Sequence, residues 1–240
     1  MRFRVTPAAR APIPSGVPGI AGSGALAFVL TVAGGGVWSG LLFANLTTTP
    51  AVPWAVVVMG LLLWCTWRYL GGSWAPQGTA AWRRAHMRAN RPPPGTIAWA
   101  LLAGIFFVLA LAGFWSVLFQ LVKLPSNPLP DFSRYPLVTV FLVLAMASLV
   151  SAVTEEIGFR GYFQVSLESR LPAAAAILLQ ALLLSPAHAL TQGFFWPVLL
   201  FYLLVDVSLG LTAYLTNSIL PGLAVHAAGL LAFFTLVWPR

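Results

Sequence analysis

The sequence predicts an all-α fold, a polytopic transmembrane helical bundle of about seven spans with its N-terminus on the cytoplasmic side. Three observations carry that expectation. Apolar residues make up 59% of the 240 positions and charged residues 8%, with a mean hydropathy of +0.88, whereas a soluble domain covers itself with about a quarter charged residues. The apolar residues fall in long runs, and roughly 20 such residues in a row are what a helix needs to cross hydrocarbon. The 13 lysines and arginines, set against five acids, gather mostly in the gaps between runs, as topology signals do. A formal charge of +8 would suggest nucleic acid in a soluble chain, but with this placement the expected partner is membrane lipid and no nucleic acid.

Taken in order, residues 1–20 carry Arg2, Arg4 and Arg10 followed by Pro, Gly and Ser rather than a compact apolar stretch with a cleavage site. They read as a flexible cytoplasmic tail and not as a signal peptide. The candidate spans are 21–46, 51–70, 96–122, 136–154, 171–192, 194–214 and 218–238. Pro53 breaks the second early, and Pro186 lies near the end of the fifth, where neighbouring helices can satisfy the freed carbonyl. The gap 71–95 holds Arg83, Arg84, Arg88 and Arg91, with Arg68 just before it and Trp74 and Trp82 suited to the headgroup zone. An amphipathic surface segment is expected there, with His86 solvated among the arginines.

With seven spans and the N-terminus inside, the cytoplasmic side collects ten arginines: Arg2, Arg4, Arg10, Arg68, Arg83, Arg84, Arg88, Arg91, Arg160 and Arg170. The outside keeps Lys123, Arg134 and Arg240, which is the asymmetry of an N-in chain. Gly36 and Gly40 form a small-xxx-small pair on the first span, widened by Gly34 and Gly35, so close helix packing is expected there. Asn45-Leu46-Thr47 matches a glycosylation acceptor, but such triplets are common by chance and this one carries no functional weight. Cys65, the single cysteine, rules out an internal disulfide and reads as a small core residue. No internal repeat supports an inverted-repeat transporter.

The ionisable residues within or against the apolar runs are Glu155, Glu156, Arg160, His188, Asp206 and His226. A charge at the centre of a span costs about 2.5–3.5 kcal/mol on insertion scales, so each needs a partner or a task. Their positions make 135–240 the expected functional unit and 21–134 a transmembrane scaffold. On a helix Glu156 and Arg160 are four apart with the acid first, the favourable orientation for a pair, whereas Glu155 points roughly 100° away. Glu156 is therefore the expected partner of Arg160, and Glu155 the free carboxylate suited to general-base work.

Arg170-Leu171-Pro172 reads as a turn, and an antiparallel hairpin closing there brings Glu155 and His188 to one depth. That geometry requires a helix from about 136 to 168, roughly 50 Å long against a 30 Å core. His226 lies less well matched, by something like 10 Å for level helices. Asp206, mid-span with Ser208 two residues on, is expected to hydrogen-bond a neighbouring helix rather than to catalyse. Glu168 and Arg170 are assigned to the turn. Glu155, His188 and His226 also form a familiar zinc set with an open position, so zinc is a possible cofactor although none is required.

The run Glu155-Glu156-Ile157-Gly158-Phe159-Arg160-Gly161-Tyr162-Phe163 is followed by His188 near the end of the next apolar span. Thr216-Asn217-Ser218-Ile219-Leu220-Pro221-Gly222 then leads into His226. Together these resemble the CPBP family, the CAAX prenyl protease and bacteriocin-processing proteins, also called Abi, over about 135–238. The resemblance implies a multi-pass intramembrane endopeptidase, of a bacterial cell membrane, that hydrolyses a peptide bond of a membrane-associated or lipidated protein or peptide. It also implies roles: Glu155 activates water, His188 assists it, Glu156 and Arg160 support the site, and His226 stabilises the oxyanion. The family, long described as metal-dependent, is better viewed as using its glutamate and histidines directly.

Two positions depart from the pattern. Leu184 stands where the family often has an aromatic four residues before its first histidine, and Leu230 where it often has an Asn four residues after its second. Loss of an oxyanion donor raises a barrier by roughly 2.7–4 kcal/mol. The alternative is thus a non-catalytic membrane scaffold or bacteriocin-immunity-type protein of the same fold.

Overall fold

The computed structural model describes residues 19–92, 135–192 and 196–237, with scattered positions between 94 and 117. Most of the expected span 96–122 and nearly all of the expected tail lie outside the described residues. Among the described residues the regular structure is helical, without a strand. Helix α1 is Ile20–Thr48, α2 Trp54–Leu70 and α3 Ala80–Met87. Helix α4 runs Leu137–Glu168, α5 Ala173–Gln192, α6 Trp196–Thr216 and α7 Leu220–Ala232, with one further π-helical turn Phe233–Val237.

Three of these are long and apolar enough to cross a membrane: Ile20–Thr48, Leu137–Glu168 and Leu199–Thr216. Trp54–Leu70, Ala173–His188 and Leu220–Thr235 are shorter apolar helices. Burial is inverted relative to a soluble domain. Phe43, Leu137, Trp196 and Leu204 are exposed, while Glu156, Arg160, Gln164, Gln180 and Asp206 are buried. An apolar exterior around a polar interior is the pattern of an integral membrane protein, whose polar groups must be satisfied within the protein.

The elements follow their local chemistry. Pro53 immediately precedes α2, where its missing N–H is harmless. The α1–α2 turn is held by Asn45, whose side-chain amide donates to the carbonyls of Thr49 and Val52 and whose oxygen accepts from the Ala55 N–H. With both ends of its side chain engaged and buried, Asn45 is a turn residue and offers no glycan attachment. The long helix expected over 136–168 is present as α4, and the turn expected at Arg170-Leu171-Pro172 separates it from α5.

One feature of α4 is not readable from hydropathy. Its backbone is α-helical to Glu155, π-helical over Glu156–Phe163, and α-helical again over Gln164–Glu168. A π-helical stretch bonds i to i+5 and so widens the turn, a distortion often found at functional sites. Helix α1 crosses this stretch closely. A Cβ on Gly158 would stand 2.8 Å from Ala27 Cα, and one on Gly34 would stand 2.7 Å from the Thr154 methyl. Of the glycines in the expected groove, Gly34 is thus the one that packs closely; Gly35, Gly36 and Gly40 face open space among the described residues.

The expected amphipathic surface segment is α3 and its flanks, but two of its arginines are structural. Arg83 is buried and donates to the carbonyls of Tyr69, Trp74 and Pro76. Arg88 is buried and ion-paired to Glu168 at the end of α4. The same segment holds the α6–α7 turn, through Ile219 N–H to the Arg88 carbonyl at 3.0 Å and Ser218 Oγ to the Asn90 carbonyl at 2.5 Å. His86 is not solvated as expected: its ring stacks on Trp82 at 4.1 Å, and burial lowers its pKa below the ordinary 6.5. Residues 71–92 therefore clamp the ends of α4 and α6 and fix the register of the helices that carry the site.

The Gly158 contact is backbone against backbone and cannot relax by a side-chain rotation. Gly158→Ala should destabilise the bundle by about 1–3 kcal/mol, seen as a lower midpoint of thermal unfolding in detergent. An unchanged midpoint would show that α1 does not press on the π-helical stretch.

Candidate active site

Arg160 lies at the centre of the site, wholly buried, within ion-pair distance of three carboxylates. Its Nη2 bonds Asp206 Oδ1 at 2.5 Å, and its Nη1 lies 3.7 Å from Glu156 Oε1 and 3.8 Å from Glu155 Oε2. The expected Glu156–Arg160 pair is present but not exclusive. On a regular α-helix Glu155 and Arg160, five apart, would stand about 140° from each other. The π-helical stretch makes five residues close to one turn, so both glutamates face the guanidinium. Glu155 is accordingly not the isolated carboxylate that α-helical spacing predicted.

The two histidines arrive from different helices. His188, on α5, places Nε2 3.8 Å from Glu155 Oε2, as the hairpin predicted. His226, on α7, places Nε2 3.7 Å from the same Glu155 oxygen, while its Nδ1 lies 3.2 Å from Glu156 Oε1. The 10 Å offset expected for His226 is therefore absent. Helix α7 starts directly after a short turn in which Asn217 takes a positive φ of 48°. Its first turn also packs tightly on α4: a Cβ on Gly222 would stand 2.8 Å from Glu156 Oε2. Glycine at 222 is what lets the carboxylate and the helix start approach.

Glu155 Oε2 is buried and accepts no hydrogen bond among the described residues, although two imidazoles and a guanidinium nitrogen lie within 4 Å. His188 is the most open member, its side chain 14% exposed against 9% or less for the others. The site thus presents a carboxylate oxygen between two ring nitrogens, with a fixed positive charge behind it.

Two contributions from α6 were not assigned to the site from sequence. Asp206, expected to bond a neighbouring helix, does so through Arg160, and its backbone carbonyl accepts from Gln180 Nε2 at 3.0 Å. Tyr202, one turn earlier, stacks on His188 at 3.9 Å with 13° between the planes. The signal for Asp206 was its acidity at mid-span; Tyr202 gave none, because its partner lies on another helix. Leu184 is buried in an apolar cluster with Phe159 and Phe163, so the aromatic beside His188 comes from α6 instead. Leu230 is half-buried one turn after His226.

The residues best placed for a metal differ from the expected set. Glu155, His188 and Asp206 each offer one donor atom within 4.8 Å of the others, so Asp206 takes the place expected of His226. Two carboxylates and an imidazole suit a divalent cation in donor type. Arg160, already bonded to Asp206, places a competing positive charge beside it.

Residues 137–230 match the family model described as Type II CAAX prenyl endopeptidase Rce1-like. Over that segment the chain is similar to a protease family, and the CPBP resemblance read from the motifs is shown. The match contains Glu155, Glu156, Arg160, His188, Asp206 and His226. No curated protein and no solved structure matches the chain.

Glu156 holds His226 through one oxygen and helps neutralise Arg160. Glu156→Gln keeps the shape but loses the charge, and should lower stability by roughly 1–3 kcal/mol, read as reduced folded yield and a lower unfolding midpoint. Full yield combined with lost turnover would assign Glu156, not Glu155, the reactive role.

Proposed function

We propose that the chain is an intramembrane endopeptidase that hydrolyses a peptide bond in a membrane-associated or lipidated protein or peptide, with Glu155 activating the attacking water. The observation that carries this reading is Glu155 Oε2, buried between His188 and His226 within the segment similar to CAAX prenyl endopeptidases. A carboxylate with an open acceptor position is a base, and two flanking imidazoles supply the further proton carriers and donors that peptide hydrolysis needs.

In the proposed sequence Glu155 takes a proton as the water oxygen attacks the carbonyl carbon. His188 orients the water from the open side. His226, its Nδ1 held toward Glu156, directs Nε2 into the site and, with the Arg160 charge behind it, stabilises the developing oxyanion. The proton held on Glu155 then passes to the amide nitrogen as the C–N bond breaks, leaving an amine and a carboxylic acid that loses its proton to water on release. Were zinc bound, Glu155, His188 and Asp206 would hold it and it would supply Lewis-acid activation of water.

The reading includes the topology: about seven spans, N-terminus inside, 21–134 as scaffold and 135–240 as the peptidase core. Arg83, Arg88 and Arg160 have structural partners and leave the charge count, but Arg68, Arg84, Arg91 and Arg170 are exposed and support the inside assignment. The family supports a membrane-associated protein substrate. A second reading, a non-catalytic scaffold of the same fold, is favoured by Leu230, which offers no amide after His226.

Glu155→Gln separates the two, since it removes the base and keeps the size. In liposomes bearing the full chain, release of the C-terminal tripeptide from a farnesylated peptide ending Cys-aliphatic-aliphatic-X should fall by about 10²–10⁴-fold, with folded yield unchanged. Cleavage at the wild-type rate in that variant would overturn the glutamate mechanism.

A further inference from the structure

Asp206 is an acid in the middle of α6, and its surroundings are unusual for a group that only neutralises a charge. Arg160 already faces Glu155 and Glu156 on its own helix, so a third carboxylate is not needed to pair it. Yet the shortest contact of the guanidinium is to Asp206, at 2.5 Å, more than 1 Å closer than either glutamate. Asp206 is itself fixed: Gln180 donates to its carbonyl, and one turn on, Gln164 donates to the carbonyl of Gly210. Gly210 leaves no room for a side chain there, since a Cβ would stand 2.7 Å from Gln180 Nε2 and 3.0 Å from Gln164 Oε1. Polar groups of α4 and α5 thus lock α6 at the depth of Arg160.

The geometry decides what Glu155 can do. A guanidinium that docks two N–H groups onto a carboxylate takes up its acceptor positions and makes it a poor base. At 3.8 Å, Arg160 lends Glu155 its field without closing a hydrogen bond, and the Glu155 oxygen stays turned toward the two imidazoles. The group holding Arg160 at that distance is Asp206.

We propose that Asp206 is a positioning residue for the Glu155 base: it draws the Arg160 guanidinium toward α6 and keeps Glu155 out of a closed ion pair. This deepens the peptidase reading and rests on it. Removing the Asp206 charge lets Arg160 close onto the glutamates. The substrate still binds, but the base is occupied.

The test compares Asp206→Asn and Asp206→Glu in the full chain, reconstituted in liposomes with the farnesylated peptide, with folded yield measured alongside. Asp206→Asn should lower kcat by about 10–100-fold with KM within about twofold of wild type. Asp206→Glu, which restores a carboxylate, should recover much of that loss. A merely structural role would not split kcat from KM or respond to the charge in this way. Wild-type kcat in Asp206→Asn, a rise in KM with kcat intact, or loss of folded protein in both variants would each overturn the proposal. Failure of the underlying reading registers separately, as a Glu155→Gln chain that still cleaves.

Discussion

The buried guanidinium of Arg160 is the interaction on which the rest of the site depends. A positive charge in a low-dielectric interior demands counter-charge, and this chain gathers three carboxylates around it from two helices. Glu155 and Glu156 come from α4 and Asp206 from α6, so Arg160 ties the two helices together at one depth. The excess of acid over base then makes room for the histidines, which approach the glutamates from α5 and α7. Remove the guanidinium, and the three acids lose the fixed positive charge that offsets their mutual repulsion in a low-dielectric interior.

The second constraint is the π-helical stretch of α4. It lets two consecutive glutamates address the same cation, which α-helical periodicity forbids. Its backbone is held from outside the core segment as well as from within. Helix α1 presses on Gly158, α3 lies against Gly161 through the carbonyls of His86 and Met87, and Tyr162 donates to the carbonyl of Leu70. Helices α1 to α3 thus shape the site without contributing a charged group to it among the described residues.

Much of this was legible in the sequence because the bilayer penalises polar groups so heavily. Six ionisable residues in apolar runs pointed to the site, and the turn at Arg170-Leu171-Pro172 paired Glu155 with His188. What escaped was set by tertiary geometry. α-Helical spacing turns Glu155 away from Arg160, and hydropathy does not report a change from α- to π-helical winding. The depth of His226 depended on the tight Gly222 contact with Glu156. Asp206 was recognised as needing a partner, but only the packing of α6 on α4 shows that its partner is the central arginine. His86 sits in a basic stretch that reads as solvated, yet Trp82 covers it because α3 docks on the bundle instead of lying free on its surface.

The central claim is that Glu155 and His226, 3.7 Å apart on different helices, act as one catalytic unit. The most direct test is a double-mutant cycle on kcat with Glu155→Gln, His226→Asn and the two combined. Residues that work as a unit lose their effect together, so the double variant should be no more than a few-fold slower than the slower single one. Losses that multiply across the two changes would contradict the account, because they would mean that the carboxylate and the imidazole serve separate steps.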